Sequence, residues 1–218
     1  MWESSDEPRA PAPMSFAETS LANLGTRIDL RKASILLVEP NNQAMDVLTS
    51  IFLGFGATHC QKASSFEEAQ QIVGSSPLDL IACEATLQPD QPDGYEFARW
   101  LRRSGLEPNA FAPLILISSH TSSRNVSRAR DCGAHFMISK PLAPAVLLQR
   151  ILWIAQHNRT FVECAAYTGP DRRFQNLGPP DGVPRRHNDL SADVGAAVES
   201  NMDQDEIDNL LAPKKVIR

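Results

Sequence analysis

Short apolar runs recur along the middle of the chain, and most of them close on a polar residue. Ile35-Leu36-Leu37-Val38 is followed by Glu39, and the run opened by Asp79, Leu80-Ile81-Ala82-Cys83, by Glu84. Leu114-Ile115-Leu116-Ile117 gives way to Ser118, and Phe136-Met137-Ile138 to Ser139-Lys140. Runs this short, bounded by turn residues and apolar at successive positions, read as parallel strands buried on both faces. Thr58 to Ala63 reads as a further, less hydrophobic strand. Between the runs the apolar period lengthens to that of a helix. Met45, Leu48, Ile51 and Phe52 form one stripe, capped by Asn41 or Asn42 and stopped by Gly54 and Gly56. Ser64 or Ser65 caps the next helix, which carries Glu67 and Glu68 in its first turn and ends at Gly74. Phe97, Trp100 and Leu101 mark a third after Asp93-Gly94. Thr121 to Cys132 is a polar fourth ended by Gly133, and Val146, Leu147, Ile151, Leu152 and Ile154 lie on a long apolar fifth. Strand then helix, five times over, predicts an α/β fold: one doubly wound five-stranded parallel sheet of order 2-1-3-4-5.

The ends have a different texture. Residues 1–32, with Pro8, Pro11 and Pro13 among Ala, Ser and acidic residues, read as a flexible leader; a short helix between Phe16 and Leu30 is left open. The globular part is expected over 33–158. From 159 to 200, Gly169-Pro170-Asp171-Arg172-Arg173, Gly178-Pro179-Pro180-Asp181-Gly182 and Arg185-Arg186 break all periodicity, which predicts a linker. Helical spacing returns at 201–213. Asp203 with Glu206 three positions later is a helix-start signature, and Ile207, Leu210 and Leu211 share one face. Asp205, Glu206 and Asp208 lie elsewhere on the turn and suit a basic surface. So short a helix orders only on docking, against this chain's own globular part or another protein, and a disordered tail with no partner is the remaining reading.

Composition narrows the classes. The 218 residues carry a net charge of −5 and four cysteines at wide spacing, so nothing suggests DNA binding, a metal cluster or a disulfide framework. No run reaches the ~20 apolar residues of a membrane span, and the N-terminus has no signal-peptide core. A soluble, cytoplasmic chain without membrane contact is expected. In an open α/β sheet the reactive groups lie beyond the carboxyl ends of the strands. Glu39, Glu84, Ser118 and Lys140 are therefore expected to converge on one crevice. His120 reads as solvent-facing, and His59, His135 and His157 as surface or edge residues.

Several of these motifs occur together in one family. Ile35 to Glu39, Asp79 to Glu84, Asp93-Gly94, Pro113 to Ser118, Gly133-Ala134 and Ser139-Lys140-Pro141 resemble the receiver domain of two-component response regulators, over residues 33–158. The segment Phe161 to Arg173 is similar to an extension of some alphaproteobacterial stand-alone receivers. Gln204 to Leu211 resembles the N-terminal peptide of the flagellar switch protein that chemotaxis receivers bind, so the other protein it docks on would be the receiver of another response regulator. The resemblance implies a flavodoxin-like, non-enzymatic signalling module. At the position of Glu84 the family has an aspartate that takes a phosphoryl group from a histidine kinase. Acids at the positions of Glu39 and Pro40 help to hold Mg²⁺, a Ser or Thr at Ser118 contacts the phosphoryl group, and Lys140 stabilises it.

This chain departs from that pattern at four places. Glu84 is one methylene too long, Pro40 offers no side-chain ligand, the loop from Glu84 to Gly94 is two residues longer, and Met137 stands at the aromatic switch position. A degenerate receiver is expected, with no cofactor or metal and no catalytic residue, working by phosphorylation-independent protein contact. Two readings of Glu84 stay open: an ion pair with Lys140, or a partial mimic of a phosphoaspartate. The interaction face would comprise Arg124, Arg128, His135, Met137, Leu148 and Trp153. The resemblance implies a histidine kinase, another response regulator or the flagellar switch as partner. Two alternatives remain. Arg172, Arg173, Arg185 and Arg186 could grip the phosphates of a cyclic dinucleotide, or Glu84 could act as a conventional phosphoacceptor.

Overall fold

A computed structural model describes residues 30–88, 92–157, 159–171 and 201–211, with only the backbone of Asn209 and Leu210. Strands β1 (Ser34–Val38), β2 (His59–Ala63), β3 (Leu80–Glu84), β4 (Leu114–Ser118) and β5 (Phe136–Ser139) form one parallel sheet. Its order is β2-β1-β3-β4-β5, as the alternation predicts. The intervening helices are α1 (Asn42–Gly54), α2 (Phe66–Ser75), α3 (Gly94–Arg103), α4 (Ser123–Asp131) and α5 (Pro144–Gln156). Side chains at the residue before the first four helices (Asn41, Ser65, Asp93 and Ser122) accept from their free amides, whereas the fifth starts on Pro144 with no side-chain cap. Asn41 accepts from the Ala44 amide at 3.0 Å, and Asp93 and Glu96 cap each other's backbone. Because strand residues alternate in direction, the core has two layers. Leu36, Val38, Ile81 and Leu116 pack with Val73, Phe97, Leu101 and Val126 on one side. Ile35, Leu37, Ile115 and Ile117 pack with Leu48, Phe52, Leu147 and Ile151 on the other.

Three boundaries move. The second strand starts at His59 rather than Thr58. Asp79 precedes β3 and uses its carboxylate to accept from the Ser34 amide at 2.8 Å. The fourth helix starts at Ser123, because Ser122 caps it and Thr121 is bound to distant Met202.

The larger correction lies past the fifth helix. Residues 161–170, expected as linker, form an antiparallel hairpin of β6 (Phe161–Cys164) and β7 (Tyr167–Pro170). Its anchor is Phe161, which meets the Phe111 ring edge-on at 5.2 Å and the Arg102 guanidinium at 5.1 Å. Gly133 makes room for it. With φ +89 it adopts a backbone that side chains disfavour, and a Cβ there would stand 2.7 Å from the Thr168 carbonyl. His135 is a second correction, since it is buried rather than at the surface. Its Nδ1 accepts from the Leu114 amide at 3.2 Å, and burial with the nearby Arg102 charge holds its pKa well below the ordinary value. Arg102 is buried too, and donates to the carbonyls of Gly133, Ala110 and Ala112 at 3.0, 2.8 and 2.9 Å. Burial lowers its pKa to about 10.

The last described element is α6 (Gln204–Leu211), which lies against β5 and α4. Among the described residues no helix is long and apolar enough to cross a membrane. The expected leader, apart from Leu30 to Lys32, and Arg172, Arg173, Arg185 and Arg186 fall outside the described residues.

Candidate functional site

All five strands run parallel, so their carboxyl ends share one edge of the sheet, and four of them deliver a polar side chain there. The Lys140 ammonium bridges the two carboxylates, 2.9 Å from Glu39 Oε2 and 2.5 Å from Glu84 Oε2. The remaining oxygens are also engaged. Glu39 Oε1 accepts from the Asn41 amide at 3.0 Å, and Glu84 Oε1 from the Thr86 amide at 3.2 Å. Both glutamates are buried, whereas the lysine side chain keeps 28% of its surface exposed. Burial raises the Glu84 carboxyl above its ordinary pKa although Lys140 and the Thr86 amide pull it down. Burial also works against the charged lysine, but hydrogen bonds and charges from Glu84 and Glu39 outweigh it and raise its pKa. Ser118 is turned into its own loop. Its hydroxyl accepts from the His120 amide at 3.0 Å and donates to the His120 carbonyl at 3.2 Å. Gly94 returns the long loop to β3 by packing directly on the Glu84 carbonyl, where any Cβ would collide.

An ordered set of acid, acid, hydroxyl and lysine on the strand ends of a 2-1-3-4-5 sheet narrows the family, and the comparison decides it. Residues 35–152 match the model of the response regulator receiver domain. The chain belongs to that family. Histidine kinase 1 of Arabidopsis thaliana is 26% identical over 129 residues, 55% of this chain and 10% of that protein. The chain thus spans about a tenth of that kinase. The signal receiver domain of a histidine kinase from Syntrophus aciditrophicus is 28% identical, with a TM-score of 0.50 over 62% of this chain and 99% of that one. The chemotaxis response regulator CheY4 of Vibrio cholerae has a TM-score of 0.50 at 20% identity, covering 56% and 98%. This last likeness is one of fold.

The family's Mg²⁺ does not fit the residues of this receiver. Such a hard cation needs several oxygens in near-octahedral array. Here Pro40 contributes no side-chain oxygen, and Lys140 already stands between Glu39 and Glu84. An ammonium holds the position between the acids that a cation would need.

Beside the pocket, the face formed by α4, β5 and α5 is covered by residues 201–211. Edge strand β5 leaves its outward peptide groups free, and the Gln204 side-chain amide serves them as a further strand would. Its Oε1 accepts from the Ser139 amide at 3.0 Å and its Nε2 donates to the Met137 carbonyl at 3.1 Å. Ile207 and Leu211 enter the apolar core. Asp208 is buried in an ion pair with Arg150 rather than facing solvent. Glu206 stays exposed and caps α6 reciprocally with Asp203. The Leu210 side chain lies outside the described residues.

Of the expected face residues, only Arg124 is well exposed. Met137 is fully buried and presents only its carbonyl to the tail, and His135 sits in the core near the hairpin. Arg128 is tied to Asp93 at 2.6 Å and lies 4.2 Å over the Tyr95 ring. Leu148 is half-buried. Trp153 packs edge-on against Phe136 at 5.2 Å and stacks on His157, in the α1–α5 layer away from the tail. Sequence reasoning missed Arg150, Gln204 and Thr121. Arg150 did carry a signal, because it is the one charged residue in the apolar helix Pro144–Gln156.

Proposed function

We propose that this receiver acts without phosphorylation, as a non-enzymatic protein-contact module whose α4–β5–α5 face is kept closed by its own C-terminal helix. The observation that carries this reading is the Lys140 ammonium seated between Glu39 and Glu84. In-line phosphoryl transfer needs a bound metal to neutralise the equatorial oxygens and a lysine free to help. Here the metal ligand at position 40 is missing and the lysine is committed. Glu84 is read as the structural partner of Lys140, since the Ser118 hydroxyl is spent on His120. A histidine kinase, another response regulator or the flagellar switch are the partner classes proposed. The link to motility rests on the likeness of Gln204–Leu211 to the switch peptide, and cytoplasmic action belongs to the same reading.

The test is incubation of the full chain with acetyl phosphate and Mg²⁺, and separately with beryllofluoride, followed by phospho-mass spectrometry and Trp fluorescence. No modification and no Mg²⁺-dependent change are expected. Stoichiometric phosphorylation of Glu84 would restore the conventional role.

A further inference from the structure

In the layer opposite the one that Ile207 and Leu211 enter, α1 and α5 leave an apolar groove between them. It measures about 470 Å³ and is lined by Ala44, Val47 and Leu48 of α1, by Pro141 and Leu142 on the approach to α5, and by Ile117. Ala44, Val47 and Ile51, at i, i+3 and i+7, form a stripe of α1 beside the buried Met45, Leu48 and Phe52. Val47 is 56% exposed, and Ala44 and Ile51 are half-buried. The charged groups in the lining, Glu39 and Lys140, are paired with each other at 2.9 Å. The groove therefore offers an occupant apolar surface and no free charge.

The chain enters this layer at Leu30, which is buried among Phe52 and Ala57. The Leu30 carbonyl accepts from the Ala33 amide at 3.1 Å, and the Thr58 hydroxyl donates to the Arg31 carbonyl at 2.6 Å, so the point of entry is fixed. The residues just before it lie outside the described ones, and their sequence is that of a short amphipathic helix. Ser15 with Glu18 three positions later is a capping box, Ala17, Leu21 and Leu24 fall at i, i+4 and i+7, and Gly25 supplies a stop. We propose that residues 15–24 dock as a helix in the groove between α1 and α5, with Leu21 and Leu24 covering Val47 and Leu142.

The dimensions agree. From its start near Leu30 to the edge marked by Glu39, β1 spans about 17 Å. Residues 25–29 reach up to about 17 Å when extended, and a helix over 16–24 adds about 14 Å. The charge agrees as well, because Glu18 is the one charged residue in 16–26 and the capping box uses it. Such a helix is too short to persist alone, and docking would remove apolar surface from water on both sides of the contact. Tethering favours this occupant over a second copy, since Leu30 holds the segment beside the groove at an effective concentration on the order of millimolar.

The test is hydrogen exchange read by mass spectrometry on the full chain, at a low and a high protein concentration, with light scattering of the same samples. Amides of 16–24 should exchange about tenfold or more slowly than an unstructured peptide of the same sequence, equally at both concentrations and at monomeric mass. The double variant Leu21→Asp, Leu24→Asp and, separately, Val47→Asp should each bring 16–24 to the unstructured rate while β1 and β4 stay protected. Val47 is exposed, so its substitution probes the groove without opening the core. Exchange of 16–24 at the unstructured rate in the unaltered chain overturns the proposal. So does protection that survives Val47→Asp, which would seat the segment elsewhere. Protection that grows with concentration, alongside a doubled mass, overturns it in favour of a second copy as the occupant.

Discussion

Arg150 and Asp208, separated by 58 positions, form a buried ion pair that ties the fifth helix of the receiver to its C-terminal helix. Removing one partner of a buried pair commonly costs about 3–5 kcal/mol, because the other charge is left dry. Here the tail can leave, and Arg150 then regains water. The loss is therefore capped by the free energy of tail docking. Asp208→Ala should cost less than about 3 kcal/mol in chemical denaturation while making 201–211 sensitive to limited proteolysis. A full-sized loss with the tail still protected would show that α6 cannot detach.

Lys140→Met removes the ammonium from between two buried carboxylates. At neutral pH the expected destabilisation is about 2–4 kcal/mol, less than for a fully dry pair because the lysine is partly exposed. In that variant the Glu84 carboxyl, already raised by burial, loses the lysine that pulls it down and keeps a folded pKa above its unfolded value. Such a group contributes stability below the unfolded pKa, near 4, and loses it as pH rises through the folded value. The deficit should therefore shrink when the melts are repeated near pH 4.

His135 gives an acid limit to the wild-type fold. Its folded pKa lies well below the ordinary 6.5, so below pH 6.5 the unfolded chain binds a proton that the native chain refuses. Stability is complete above that value and falls by about 1.4 kcal/mol per pH unit beneath it. His135→Gln, which keeps an acceptor for the Leu114 amide, should flatten denaturation midpoints between pH 6.5 and 5. An equally steep fall in the variant would move the acid sensitivity elsewhere.

Gly133→Ala should destabilise the full chain by about 2–3 kcal/mol, combining left-handed backbone strain with a clash against Thr168. In a chain ending at Thr160 the clash with the hairpin is gone. The same substitution should then cost less, the backbone part of about 1–2 kcal/mol together with the remaining contact with Arg102 Cγ, 2.8 Å from the added Cβ. Equal costs in both chains would show that the hairpin does not press on Gly133.

The sequence alone determined the sheet and its active edge. Uninterrupted apolar strands with helices between them leave few topologies, and a parallel sheet must put Glu39, Glu84, Ser118 and Lys140 at one edge. The nature of the acids was also legible, since a proline at 40 and a glutamate at 84 are facts of composition at a position. Tertiary structure decided what those groups do to one another. Whether Lys140 faces Glu39, Glu84 or solvent depends on side-chain paths of a few ångströms that no periodicity encodes. The hairpin at 161–170 hid because its strands are only four residues each and gain their stability from Arg102, Phe111 and Gly133, remote in sequence. The orientation of the tail was hidden for the same reason. Its amphipathic face announced burial, but Gln204 and Asp208 acquired their roles only where the open edge of β5 and the guanidinium of Arg150 stood waiting for an amide and a carboxylate.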